Sequence, residues 1–224
     1  VRMDREDDRL AIDLLNKTSN WGTWSVSLPR NYTTPLHWSD ATVALLGDAE
    51  LVSTVERQRA RLERRYSDLR SHVSTVETKM WSASQWRLQF GPGVNLPLSP
   101  GYGLFDLLTF EMYRYCYATI RSRAAYLDEE TEGARQAIVP VGDLFNHSTT
   151  APNVAAAYDA AARAYVYTAT HPIAAGDELL VSYGAHDNAT LLKHYGFVPR
   201  GPNPHDRVAV TLAPAADDGR LATG

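Results

Sequence analysis

The sequence predicts an α+β fold, with helices in the first half and short strands in the second. One observation is a run over residues 48 to about 80 that holds neither proline nor glycine and repeats apolar residues at helical spacing. A second is the change of texture after about residue 126, where brief apolar stretches alternate between turn residues. The third is composition. Of 224 residues, 44% are hydrophobic and 21% charged, which excludes a disordered tail, a collagen-like rod and a coiled coil running the whole length. Strands grouped after helices, instead of alternating with them, separate α+β from a parallel α/β sheet.

Taken in order, Leu10, Ile12, Leu14 and Leu15 mix with polar residues in a short amphipathic stretch. A connector over 21–38 follows, carrying Ser27-Leu28-Pro29 and Tyr32-Thr33-Thr34-Pro35. Ser39-Asp40 opens a helix, because an N-cap serine accepts from an otherwise unpaired backbone N–H, and Gly47 stops it. In the helix predicted over residues 48 to about 80, Leu51, Val55, Leu62, Tyr66, Leu69 and Val73 mark the buried stripe. Five arginines between positions 57 and 65 read either as a solvated face or as a dock for an acidic partner. Gly91-Pro92-Gly93 through Gly103 is a loop between the halves, and an aromatic-rich helix spans residues 104 to about 126. Strands are predicted over 137–141, 163–169 and 178–183, with a turn at Gly176-Asp177. Residues 188–195 read as a short helix closed by Gly196, and 207–212 as a last strand.

Charge narrows the function classes. Lys and Arg total 22 against 26 Asp and Glu, a net charge of -4, which disfavours direct nucleic-acid binding. Cys116 stands alone, so no disulfide within the chain and no cysteine-cluster zinc site is available. No run reaches the roughly 20 apolar residues of a membrane span. The start is charged, lacks an initiator methionine and has no signal-peptide core. Both ends read as cuts through a longer protein.

Polar residues collect at three places. Asp143-Leu144-Phe145-Asn146-His147-Ser148 sets four hydrogen-bonding side chains behind an apolar stretch. Such polarity costs stability unless it is satisfied, so it is either a turn bonding its own backbone or a site. Gly176-Asp177-Glu178 with Ser182-Tyr183-Gly184 is either a hairpin whose tyrosine packs on the core or a second wall of that site. Lys193-His194-Tyr195-Gly196-Phe197, taken alone, is an ordinary helix end. His147, His186, His194 and His205 raise the idea of a metal hydrolase, but no pair has His-x-x-x-His or His-x-Glu spacing, and no metal is expected.

In this order the pieces resemble the C-terminal half of a SET domain, of the Rubisco large-subunit lysine methyltransferase type. The resemblance is carried by Asn146-His147-Ser148, Gly176-Asp177-Glu178, the run from Tyr183-Gly184 to Asn188, Tyr195-Gly196-Phe197-Val198 and Asn203-Pro204-His205. Upstream, Ser27-Leu28-Pro29 and the run from Tyr32 to Ser39 match the family's lead into a helical insertion.

The resemblance implies a pseudo-knot-type core of short strands: residues 1–104 a mainly helical insertion, 105–200 the C-terminal half of the SET core, and 201–224 the start of a substrate-binding domain. It implies an enzyme that moves a methyl group from S-adenosylmethionine to a lysine of a protein substrate. Tyr183 would be catalytic. Ser122, Arg123, Asp143, Asn146 and His147 would bind the cofactor, Arg123 by a fork onto its carboxylate. Ala125, Tyr126 and Tyr195 would line the lysine channel. The family's glycine-rich cofactor motif is expected upstream of Val1, so this piece alone is expected to bind the cofactor weakly. Two residues after Arg123 the related actin-histidine methyltransferases carry asparagine; here Ala125 stands, which argues for lysine as acceptor. Alternatives are a histidine methyltransferase and a catalytically silent SET-like protein that only binds peptides. The expected state is a monomer whose partner is a lysine-bearing segment of a protein, without nucleic acid or membrane. Nothing selects among cytosol, nucleus and plastid.

Overall fold

A computed structural model describes residues 27–73, 108–127 and 136–208, together with residues 8, 10, 11, 14 and 24. Helices precede strands, and the architecture is α+β. A 3-10 turn, Pro35–His37, leads into helix α1, Asp40–Ala44, where Ser39 Oγ accepts from Thr42 N–H at 3.2 Å. Asp48 Oδ1 accepts from both Glu50 and Leu51 N–H at 2.9 Å and so opens helix α2, Ala49–Val73. The rest of the predicted helix, beyond Val73, lies outside the described residues.

Helix α2 buries Val55, Leu62 and Leu69 at seven-residue steps, one face of the helix. Leu62 and Leu69 pack on helix α3, Phe110–Arg123, whose Met112, Tyr113, Cys116 and Ile120 share one core with Leu28, Leu36 and Leu108. Two arginines of α2 are not solvated. Arg59 donates from Nη2 to the Pro35 carbonyl at 2.7 Å and to the Trp38 carbonyl, and from Nη1 to Asp40 at 2.7 Å. Arg65 is buried against Asp8 at 2.7 Å. Among the described residues no helix is long and apolar enough to cross a membrane.

The aromatic helix, expected to run to about residue 126, ends at Arg123. Its predicted start at 104 lies outside the described residues. Strand β1, Ala124–Tyr126, takes over and pairs antiparallel with β2, Gln136–Ile138. Alanines suit a helix, so only the pairing partner redirects them. The strand predicted over 137–141 stops at Ile138. Pro140 has no N–H for a ladder, and Val141 takes φ 72 to enter a 3-10 turn, Gly142–Leu144. Strand β3, Asn146–His147, follows and pairs parallel with β6, Leu180–Val181. Thus only two residues of the strand predicted over 178–183 are in a ladder.

Between β3 and β6 an antiparallel hairpin joins β4, Val154–Asp159, to β5, Ala164–Ala169. The second of these was expected and the first was not. Helix α4, Asn188–Tyr195, forms as predicted: Asp187 Oδ1 accepts from Thr190 N–H at 2.7 Å, and Gly196 closes it at φ 80. Of the predicted last strand, Arg207 and Val208 are irregular and the remainder lies outside the described residues.

Gly196 fixes where α4 sits. A Cβ there would lie 2.4 Å from Thr33 Oγ1 and 2.8 Å from the Thr33 carbonyl carbon. Gly196→Ala is therefore expected to lose about 1–2 kcal/mol from the left-handed backbone alone, and more from the clash. A thermal melt indistinguishable from the parent would overturn that account.

Candidate active site

The end of α3, the β1–β2 ribbon, the 3-10 turn and the segment after β6 converge on a cavity of about 260 Å³. Ser122, Arg123, Ala125, Tyr126, Asp143, Tyr183 and Tyr195 all line it. These residues span more than seventy positions of sequence, and the fold brings them to one place. Asn146 and His147 do not line it. His147 instead borders a separate groove with Ser148, Phe197 and Arg200.

Tyr183 is held from three directions. Its hydroxyl donates to the Phe145 carbonyl at 2.6 Å, and its backbone N–H donates to His147 Nδ1 at 3.0 Å. The ring stacks on His147 and on Tyr195, with centroids 5.1 and 4.8 Å apart. Because His147 Nδ1 accepts, the imidazole carries its proton on Nε2, which meets Thr149 Oγ1 at 3.0 Å. Burial lowers the His147 pKa and keeps that ring neutral. Burial also pushes the Tyr183 phenol up to about 12, against the opposing pull of the Arg123 charge. The phenol stays protonated at neutral pH.

Arg123 and Asp143 are bound to each other. Arg123 Nη1 donates to Asp143 Oδ2 at 2.9 Å and to its carbonyl at 3.0 Å. Trp24 Nε1 donates to the second carboxylate oxygen at 2.9 Å. The Asp143 side chain is 0% exposed and that of Arg123 17%, so Asp143 reaches the cavity through its main chain only. Where sequence suggested two cofactor ligands, the geometry gives one guanidinium at the cavity and one carboxylate that anchors it. Ser122 Oγ donates back to the Ala118 carbonyl at 2.8 Å, which holds it against the helix.

Asn146 is exposed, with Nδ2 donating to Glu178 Oε1 at 2.5 Å. Asn153, which sequence reasoning missed, does more for the frame. Its Nδ2 donates to the Glu178 carbonyl at 2.9 Å and its Oδ1 accepts from Leu180 N–H at 2.7 Å, tying β6 in place. Gly142 was also missed. A Cβ there would lie 2.0 Å from the Tyr167 hydroxyl, so only glycine lets Tyr167 stack on Phe145, at 4.8 Å, over the cavity. Trp24, Asn153 and Gly142 sit in no pattern that spacing would pick out. Among the described residues no group of three or more His, Cys, Asp or Glu is placed to hold a metal ion.

Comparison with known proteins adds the family. The SET-domain profile matches residues 19–184, most of the chain. The chain is similar to SET domain-containing protein 4 of Mus musculus, 28% identical over 211 residues that cover 89% of this chain and 43% of that protein. It is also similar to the actin-histidine N-methyltransferase of Dasypus novemcinctus, 26% identical over 212 residues, 93% of this chain and 32% of that protein. The chain thus spans less than half the length of these relatives. Among solved structures, the SET domain of LSMT bound to MeLysine and AdoHcy superposes with a TM-score of 0.57, at 21% identity, over 86% of this chain and 39% of that one. Rubisco LSMT bound to AdoMet gives 0.56 at 20% identity, over 85% and 38%. These two likenesses speak for the fold, and with the profile over residues 19–184 the chain belongs to the SET-domain family.

Proposed function

We propose that this chain forms the catalytic part of a protein-lysine N-methyltransferase that uses S-adenosylmethionine. The observation that carries the reading is the Tyr183 phenol: protonated, its O–H committed to the Phe145 carbonyl, its oxygen at a tyrosine-walled cavity. With its proton pointed away, that oxygen accepts a hydrogen bond from an acceptor amine and turns the nitrogen lone pair toward the methyl group. Free lysine has a pKa near 10.4 and reacts only when neutral, and a partly buried aromatic channel favours the neutral form. Tyr195 and Tyr126 form the walls of that channel.

The lining suits the cofactor's chemistry. The Arg123 guanidinium matches a carboxylate head, and the tyrosine faces match a sulfonium cation. When bound, S-adenosylmethionine supplies an electrophilic methyl group. Arg123, held by Asp143, would orient the head, with Ser122 beside it. Asn146 and His147 belong to the same proposed set, and His147 also fixes the backbone of Tyr183. We place the division into insertion, core half and substrate domain (residues 1–104, 105–200 and 201–224) in the same proposal, supported by the strands, all of which lie between 124 and 181 among the described residues. The partner is a protein segment bearing the acceptor.

Lysine is favoured over histidine because Ala125, which lines the cavity, has no side-chain group to hold an imidazole nitrogen. Mass spectrometry of protein methylated by the full-length enzyme is expected to place the new group on a lysine Nζ. A methyl on a histidine ring nitrogen overturns the acceptor assignment. Cofactor binding without transfer to any protein favours a silent peptide-binding role.

A further inference from the structure

Helix α2 faces the α3–α4 pair across a groove of about 680 Å³. Its walls carry Arg57, Arg61, Arg64 and Arg65 from α2, Arg121 from α3 and Lys193 from α4. Among the described residues no Asp or Glu lines it. In a chain whose net charge is -4, this concentration of cations is a local feature and not a reflection of composition. Arg65 is neutralised by Asp8, and Arg57 Nη2 is occupied by Thr54 Oγ1 at 2.9 Å. Among the described residues, Arg121 Nε, Gln58 Oε1 and His194 Nδ1 of this lining are buried polar atoms with no hydrogen-bond partner. Buried donors are normally satisfied, so the Arg121 Nε–H suits an acceptor such as a carboxylate oxygen. The groove also leads somewhere. A smaller cavity of about 130 Å³ shares Arg121 and His194 with it, and shares Ala124, Tyr126 and Tyr195 with the tyrosine-walled cavity.

We infer that this groove docks an acidic segment of the protein substrate, rich in Asp and Glu, which flanks the acceptor residue. The inference rests on the reading that the tyrosine cavity takes the acceptor. Carboxylates fit the site because guanidinium groups bind them through paired N–H donors. Burial, then the Arg121 and Lys193 charges, pushes the His194 pKa down to about 3, so that imidazole stays neutral and the groove's positive charge comes from its arginines and Lys193. A protein segment is favoured over nucleic acid because the cations are confined to one groove between three helices, whereas the chain as a whole, at net charge -4, repels a long polyanion.

The test is fluorescence anisotropy on the full-length protein. The probes are a labelled twelve-residue peptide with six Glu around a central Lys, its all-Gln counterpart, a labelled oligonucleotide of equal charge, and inorganic phosphate as competitor. The Glu peptide is expected to bind at least about tenfold tighter than the Gln peptide and to weaken as salt rises. Arg61→Glu with Lys193→Glu is expected to lose at least about tenfold for the Glu peptide, with an unchanged thermal melt. Tyr183→Phe should bind it like the parent, so a failure of catalysis and a failure of docking separate. Equal binding of the two peptides, undiminished binding by the charge-reversed variant, tighter binding of the oligonucleotide, or full displacement by millimolar phosphate would each overturn the proposal.

Discussion

Asp143→Ala is expected to destabilise the protein by about 3–5 kcal/mol, because it leaves the Arg123 guanidinium partly buried and uncompensated. For a domain of this size that corresponds to a fall in Tm of roughly 6–20 °C. The carboxylate is fully enclosed and serves two donors, Arg123 on one oxygen and Trp24 on the other, while the Asp143 main-chain carbonyl accepts from the same arginine. Removing it strands two donors at once. Asp143→Asn keeps an acceptor of the same shape but no charge, and should fall between parent and alanine. The decisive protein is the pair Asp143→Ala with Arg123→Met. If the loss comes from an unpaired charge, removing the charge as well restores part of the stability, and the double variant melts above Asp143→Ala alone. Urea melts of the four proteins test this. An Asp143→Ala variant within about 1 °C of the parent would sink it.

The same pair shows what was legible in the sequence. Local signals read well: Ser39 before α1 and Gly196 after α4 are caps whose chemistry acts within four residues. Elements defined by a distant partner read poorly. Strand β3 is two residues long and exists only because β6 lies beside it. Strand β4 carries three alanines among its six residues, with Val154 and Tyr158 alone of the side-chain types that mark strands, and its aromatic partner β5 shapes it. The turn of α3 into β1 at Ala124 has no local cause at all. For the site, the family resemblance picked out Tyr183, Tyr195, Ser122, Arg123 and Asp143, which line one cavity, and Asn146 and His147, which do not. What order could not convey is which of them face a ligand and which hold one another. Trp24 reaches Asp143 across 119 positions, and no spacing rule finds such a contact.

Tyr183→Phe separates function from fold most sharply. Losing a positioned hydrogen bond at the reacting atoms is expected to cost about 2.7–4 kcal/mol of barrier, roughly a hundredfold or more in turnover. Stability should change much less. The ring keeps its stacking on His147 and Tyr195, and only the bond to the Phe145 carbonyl is lost, worth about 0.5–1.5 kcal/mol. Cofactor affinity should survive, since the proposed cofactor contacts lie on Arg123, Ser122, Asn146 and His147. The pH profile adds a second readout. Burial raises the phenol from 10.0 to about 12, so the folded state favours its neutral form. That contribution to stability is fully present below pH 10 and fades as pH rises through 12. Across pH 7 to 9 the phenol therefore stays neutral, and any rise in rate reports deprotonation of the acceptor amine. The Phe variant should then be slower at every pH yet keep the parent's profile, as measured by single-turnover methylation in the full-length protein. A flattened profile would mean that Tyr183 itself had been the titrating base. A Phe variant that transfers methyl at the parent rate would remove Tyr183 from the catalytic assignment.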